Sequence, residues 1–477
     1  MLNACAHCCK DRPVAPPRRR AIVAGLALVL PMATMASGRF ASHELPHPSA
    51  SISVSNCDDS GAGSLRDAVA GAASGDMIDL SSLTCSTITL TSGAIEIPQD
   101  DLYIKYSGEG GTPPTIAANL SSRVFDHTGA GTLKLVGLTI EEGKYDNTYS
   151  MYPASAVGGC IYSTGNVYLV GSTVTMCKTN DVHGQDAAGG AIYVLGALTL
   201  SHSTVSGNTA YSSGRFADGG GAFTHGAAYL DYSSVSSNGA SGLLGGIGGG
   251  LMVVSLGDLT STIYNSTIDG NQADRAGGLE IAGIATDNAA VAINNSTISG
   301  NIANGYAAAG YFRGSLTLTA STIAFNQSSS GPGIELAAQG VPITIESSII
   351  ANNGPTGFDY DIGSQGYAVA IGGSHSLVMN AASGITLPAD TIDADPLLQP
   401  LADNGGQTRT HALGDGSPAI DAGDDTEGST FDQRGNGFPR VVGAFADIGA
   451  FERQSIDDTI FADGFDGGAS ALGRALP

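Results

Sequence analysis

One short phrase returns through the middle of the chain at intervals of roughly thirty residues, and it narrows the possible folds more than any other feature. It reads Ser203-Thr204-Val205-Ser206-Gly207-Asn208, then Ser234-Val235-Ser236-Ser237-Asn238, Ser266-Thr267-Ile268-Asp269-Gly270-Asn271 and Ser296-Thr297-Ile298-Ser299-Gly300-Asn301. Looser copies end at Asn326 and Asn352, and earlier ones sit at Leu138-Thr139-Ile140 and Gly171-Ser172-Thr173-Val174. A β-branched residue recurs at 140, 174, 205, 235, 268, 298, 323 and 349. A second phrase interleaves with the first: Gly159-Cys160-Ile161-Tyr162, Gly189-Gly190-Ala191-Ile192-Tyr193, Gly249-Gly250-Leu251-Met252 and Gly277-Gly278-Leu279-Glu280.

Between the phrases lie short alternating runs such as Val167-Tyr168-Leu169-Val170, Leu198-Thr199-Leu200 and Ile343-Thr344-Ile345, bounded by Gly, Ser and Asn. These are strand signals, and hardly any segment from 160 to 350 carries a helical apolar period. One unit of about thirty residues cannot bury its own apolar side chains, so neighbours must stack. The expected fold is all-β: a right-handed, single-stranded parallel β-helix. Asn at a fixed offset can satisfy a tight corner and stack as an amide ladder, and the Gly pairs permit the positive φ of a sharp corner. Ser64 before Leu65-Arg66-Asp67-Ala68-Val69 reads as the N-cap of one short helix, placed to plug the N-terminal end.

Arg18-Arg19-Arg20 followed by the apolar run Ala21 to Leu30 reads as a secretory signal peptide over 1–36, and this run is too short to span a bilayer. Its loss removes five basic residues and one acid, changing the formal charge from −24 to −28. Such a chain repels phosphate backbones, which excludes nucleic acid as a partner. The sequence divides into a disordered leader at 37–50, an N-terminal cap and first coils at 51–132, and repeat coils at 133–355. Final coils and a C-terminal region at 356–453 and a tail at 454–477 follow. Of the four cysteines left after cleavage, Cys57 and Cys85 are about one coil apart, so a disulfide between them is expected and Cys160–Cys177 follows by elimination. Neither pair has metal-ligand spacing.

The segment Gly63-Ser64-Leu65-Arg66-Asp67-Ala68 resembles the Cys-Ser-Leu-Arg-Glu-Ala stretch that opens many exported bacterial β-helix proteins, with Gly for Cys and Asp for Glu. The phrases Gly189 to Ile192 and Ser206 to Ala210 are similar to polymorphic outer-membrane-protein repeats, although those carry Phe where this chain has Val or Ile. Toward the end, Asn404 to Leu413, Gly416 to Gly423, Asp432-Gln433-Arg434-Gly435, Pro439-Arg440 and Asp447 to Glu452 resemble in order the choice-of-anchor segment (Q-type) of such proteins. These resemblances imply export and display at the surface of a Gram-negative bacterium. They do not by themselves imply catalysis.

Coil length varies mainly between the Asn corner and the next Gly pair, so loops should emerge along one edge, where solenoids bind ligands. They carry Lys144, Tyr145, Asp146, Tyr149 and Tyr152, then Asp181, His183 and Asp186, then Arg215, Phe216 and Asp218, then Asp274 and Arg275. That mixture of charge and tyrosine suits a glycan or a protein surface; the plainer reading is ordinary solvated loops. On the strand after each Gly pair the outward position reads Tyr162, Tyr193, Phe223 or Thr224, Met252 or Val253, Glu280, Arg313 and Glu335. Glu280, Arg313 and Glu335 would stand on successive coils, as an acid–base set or as a charge-paired ladder. The acidic turns Asp393, Asp395, Asp424 and Asp425 offer oxygen to Ca²⁺ but lack regular ligand spacing, so no cofactor or metal is expected.

The sequence thus points to a monomeric, secreted or surface-bound β-helix that contacts an extracellular glycan or a neighbouring cell surface without turnover. The alternatives are a polysaccharide lyase or hydrolase and a carbohydrate-binding solenoid. The motif series of galacturonases is missing: His183-Gly184 and His225-Gly226 lack a preceding Gly, and no Arg-Ile-Lys occurs.

Overall fold

The computed structural model describes residues 48–108, 111–147, 155–255, 259–283, 289–354, 360–425 and 428–454. The expected signal peptide over 1–36, most of the expected leader and nearly all of the tail therefore lie outside the described residues.

Three sheets of eleven, eleven and ten strands run the length of the repeats, with every strand pair parallel. One turn runs through Asn166–Val170 in the first sheet and Thr173–Thr175 in the second, then out along Lys178–Asp181 and back along Ala187–Ala188, and closes through Ile192–Val194 in the third. The architecture is a parallel β-solenoid with a single helix among the described residues. Each turn is too short to hold a core alone. Stacking aligns Ile140, Val174, Val205, Val235, Ile268, Ile298 and Ile323 in one buried column. Leu135, Leu169, Leu200, Leu230, Ile263, Ile293, Leu318 and Ile345 form another. Full burial of such a side chain contributes about 1.5–3 kcal/mol, so the columns dominate the stability of the stack.

Two polar ladders fix the corners on either side of the second sheet. At the first corner a serine Oγ donates to the carbonyl two residues back and accepts the backbone N–H of the serine one turn earlier. This runs from Ser172 through Ser203, Ser233, Ser266, Ser296 and Ser321 to Ser348. At the second corner Asn208, Asn238, Asn271, Asn301, Asn326 and Asn353 stack amide on amide at 2.8–2.9 Å. The residue before each ladder asparagine has positive φ, as at Gly207, Gly270 and Gly300, where the absence of Cβ removes the strain.

The last repeat is displaced by one residue from its sequence alignment. Ile350, not Ile349, pairs with Ile323, and Asn353, not Asn352, joins the ladder. Ile349 takes the outward place that Thr322 holds one turn earlier, because an apolar cluster of Leu413, Ala419, Ile448 and Phe451 covers it. That cluster belongs to residues 393–453, which lie as a flap over the second sheet.

The helix spans Leu65–Gly71; Ser64 Oγ accepts the Asp67 N–H, and Leu65 and Val69 enter the main core. Disulfides join Cys57 to Cys85 and Cys160 to Cys177, with Cα separations of 6.3 and 5.5 Å. Asp59 and Asp101 belong to turns and accept hydrogen bonds from Arg66 and from the Thr132 N–H.

Candidate functional site

The segments expected as loops form a fourth sheet instead. Its outgoing strands are Lys144–Asn147, Lys178–Asp181, Thr209–Ser212, Gly239–Gly242, Gln272–Arg275, Ile302–Tyr306 and Gln327–Ser328, and short returning strands pair beside the first five. The two arms close on a core made only of alanine: Ala156, Ala187, Ala210, Ala217, Ala240 and Ala273. Alanine is the side chain that fits between backbones brought so near, so the edge is a thin lobe.

Most of the charged residues expected to bind along this edge serve the lobe itself. Asp181 is fully buried and accepts from Asn147 Nδ2 and the N–H groups of His183 and Gln185. Asp186 pairs with Arg215 at 3.1 Å and also accepts the Phe216 N–H. Asp274 accepts the Gly246 N–H and a hydrogen bond from Asn304, and Asp146 pairs with Lys144. Tyr145 lies under the Arg123 guanidinium, 3.5 Å from its ring centroid. His183 is exposed at the lobe tip near the apolar Val182. Tyr149 and Tyr152 lie outside the described residues.

The column on the outer side of the third sheet reads Asp126, Tyr162, Tyr193, Phe223, Met252, Glu280, Tyr311, Glu335 and Gly363. Phe223 and Met252, not Thr224 and Val253, are its members, and Tyr311, not Arg313, stands between the two glutamates. The displacement has a packing cause. Gly310 occupies the inward position held by Leu279 one turn earlier, and the Phe312 ring fills the space its side chain would take. The corner there is Ala307-Ala308-Ala309 in place of a Gly pair, so the landmark that sets the count is missing.

This column faces the lobe and is covered by it. Tyr162, Tyr193 and Phe223 stack with ring centroids 5.9 and 5.2 Å apart, and Phe223 and Met252 pack with Ile247 and Ala188 of the lobe. Glu280 is 2% exposed, and both its carboxylate oxygens are held by Arg275, at 2.7 and 2.9 Å. The Arg275 guanidinium also lies 4.7 Å from the Tyr311 ring centroid. Asp218 adds a carboxyl whose Oδ1 is enclosed without a hydrogen-bond partner; burial and then the nearby Glu280 charge raise it far above the usual carboxylate range.

Glu335 differs from Glu280. It is 7% exposed, makes no hydrogen bond to a described residue, and burial alone pushes its carboxyl up to about 7. Its neighbour on the following turn is Gly363, and Gln365 donates to the Tyr311 hydroxyl at 2.8 Å on the preceding side. Arg313 is exposed and points along Tyr311, 5.7 Å from its ring centroid. Tyr311 and Gln365 were not legible as site residues; only a correct count from the Ala corner would have found the first. Among the described residues no cluster of three or more His, Cys, Asp or Glu side chains has the geometry to hold a metal ion.

The C-terminal motif residues wire the flap. Arg434 is clamped by the Asp432 carboxylate and lies between the rings of Phe438 and Phe451, at 4.0 and 3.9 Å. Arg440 donates to the Gly449 and Asp447 carbonyls, and Glu452 accepts the Val442 and Asp447 N–H groups. The flap then bonds to the second sheet. Gln433 bridges Thr267 and Thr297, His411 Nε2 lies 2.8 Å from Ser299 Oγ, and Arg409 pairs with Asp269.

None of the protein-family models matches this chain, and none of the curated proteins is significantly similar to it. The parallel β-solenoid is consistent with surface or polysaccharide-related proteins. The motif resemblances rest on their own residues.

Proposed function

We propose that this is an exported, surface-associated β-helix that contacts extracellular glycans or a neighbouring envelope without chemical turnover. The carrying observation is the state of Glu280. A carboxylate held at both oxygens by a guanidinium and enclosed by the lobe is not free to exchange a proton with a substrate. Tyr311, and not Arg313, pairs with both glutamates, which weighs against the acid–base alternative for Glu280, Arg313 and Glu335. Export is supported by the basic and apolar N-terminal segment and by two disulfides, which persist in oxidising compartments. On this reading residues 1–36 are the cleaved signal, 51–355 the cap and coils, 356–453 the closing region, and 454–477 a sorting or anchoring tail.

A second reading, a lyase or hydrolase, is favoured by Glu335, a carboxyl beside Tyr311 that burial raises to about 7 and that makes no hydrogen bond among the described residues. Incubation with acidic and neutral polysaccharides, with and without Ca²⁺, followed by reducing-sugar and unsaturated-uronate detection, separates the two. No product is expected. Product that disappears in Glu335→Gln would replace the first reading with the second.

A further inference from the structure

The outer face of the first sheet carries a separate regularity. Pairing there places Tyr103, Lys134, Tyr168, Thr199, Tyr229 and Thr262 in a single column along the solenoid axis. The tyrosines fall on alternate turns, so successive rings are about 9.6 Å apart, twice the spacing of parallel strands. All three are half-buried, and their hydroxyls make no hydrogen bond to a described residue. The Lys134 ammonium lies 5.2 and 4.9 Å from the ring centroids of Tyr103 and Tyr168, which holds these two side chains upright. The flap bonds to the second sheet and to the corner residues Asn265 and Asn295, and all six side chains of the column keep part of their surface exposed.

We propose that this column binds an extended, neutral, β-linked polysaccharide laid along the solenoid axis. In such a chain each sugar is rotated about half a turn from the last, so equivalent edges and hydroxyls recur every second sugar. The column recurs every second turn, with an aromatic ring and a hydroxyl at each repeat and a polar side chain between. Tyr103, Tyr168 and Tyr229 offer apolar ring surface to sugar C–H groups and a hydroxyl to sugar oxygens. Lys134 supplies N–H donors to hydroxyl or ring oxygens from between two of them. A net charge of −24 opposes approach of an acidic polymer, which leaves the neutral class. The proposal rests on the glycan-contact reading and adds to it a place and a ligand class.

The test is binding of the full protein to insoluble β-1,4-glucan and β-1,4-N-acetylglucosamine polymer, with calorimetry on the corresponding soluble hexasaccharides. Tyr168→Ala and Tyr229→Ala are each expected to weaken binding about tenfold, the scale of one lost aromatic contact, and together by more. Tyr168→Phe should keep most of the affinity. Thermal melts score folding separately; Tyr229→Ala, which leaves the Tyr103–Lys134–Tyr168 stack intact, carries the test if Tyr168→Ala melts early. Failure of the wild-type protein to bind either polymer, unchanged binding by the double variant, or preference for polygalacturonate or α-linked dextran would overturn the proposal. Binding to whole cells without binding to either polymer defeats this site while leaving the surface-contact reading standing. Sugar release defeats the non-catalytic reading while the tyrosine variants still report on the column.

Discussion

Asn271 donates from Nδ2 to Oδ1 of Asn301 at 2.9 Å, and the same oxygen accepts the Asn271 backbone N–H at 3.0 Å. Asn271 Nδ2 also donates to the Val235 carbonyl. One amide therefore satisfies groups on its own turn and on both neighbours, inside a corner closed to water. The chain of amides ends on Asp361, whose Oδ1 accepts both the Asn353 N–H and its Nδ2. A carboxylate is suited to that last place because no further turn requires a donor.

Asn271→Ala removes these bonds, takes the side-chain donor from the Val235 carbonyl and leaves the Asn238 N–H buried without its partner. An unsatisfied buried group costs about 1–3 kcal/mol, so the loss should reach about 3 kcal/mol. Asn271→Asp should be nearly as harmful, since a carboxylate cannot donate to Val235 or Asn301. Urea unfolding gives the measurement. A loss below about 1 kcal/mol for both variants would mean that the corner relaxes and the ladder is ornamental.

The ladder and the inward β-branched column were readable because their residues repeat at fixed offsets and do the same job on every turn. The turn at 349 misled because Ser348-Ile349-Ile350 replaces Ser-Thr-Ile, and two isoleucines give the count no anchor. Arg313 misled for a related reason: Gly310 and Phe312 exchange volume, which local pattern cannot reveal. The lobe was hidden because its core is alanine, a residue with little strand signal and no apolar contrast with Gly and Ser. The flap contacts join residues about 140 apart, such as Thr267 and Arg409, beyond the reach of any periodicity.

Cys177 holds the ladder position that asparagine takes on later turns, and its N–H donates to Asn208 Oδ1 at 2.9 Å. Removal of the Cys160–Cys177 link in a Cys160→Ala, Cys177→Ala protein should cost about 3 kcal/mol, the loop-closure value for a separation of this size. Cys160→Ala with Cys177→Asn should recover about 1 kcal/mol of that by extending the ladder one turn. Ala191 holds the place of Cys160 on the next turn, which carries the ladder residue Asn208, so an alanine at 160 is compatible with an asparagine at 177. Equal melting temperatures for the two double variants would show that the ladder does not extend past Asn208.

Glu335 should make stability depend on pH in the direction opposite to an ion-paired carboxylate. Its folded value of about 7 lies above the ordinary glutamate value of 4.5, so between the two the folded chain keeps a proton that the unfolded chain releases. The stabilisation is complete below the unfolded value and is lost as pH rises through the folded one. Partial solvent access to the carboxyl limits the loss to about 2 kcal/mol. Asp218 is shifted in the same direction, so the informative quantity is the difference between wild type and Glu335→Gln. Melting curves across this window should fall more steeply for the wild type. Parallel slopes would show that Glu335 is solvated in solution.

Arg434 binds Asp432 through both Nε and Nη2, donates to the Glu452 carbonyl at 2.5 Å, and stacks between Phe438 and Phe451. A lysine cannot reproduce the planar fork or stack on two rings, so Arg434→Lys removes more than its unchanged charge suggests. It leaves the buried Asp432 carboxylate with an incomplete partner, a change on the order of 3 kcal/mol. That loss should fall on the flap, because Arg434 makes none of its hydrogen bonds to the coils. Hydrogen exchange should then speed up across residues 397–453 while the Asn ladder amides from 208 to 326 stay protected. A protease should cut within the flap before the coils. Ile349, which clusters with the flap residues Leu413, Ala419, Ile448 and Phe451, would become more exposed and raise dye binding to apolar surface. Simultaneous loss of protection in flap and coils would instead make them one cooperative unit, with Arg434 supporting the solenoid as a whole.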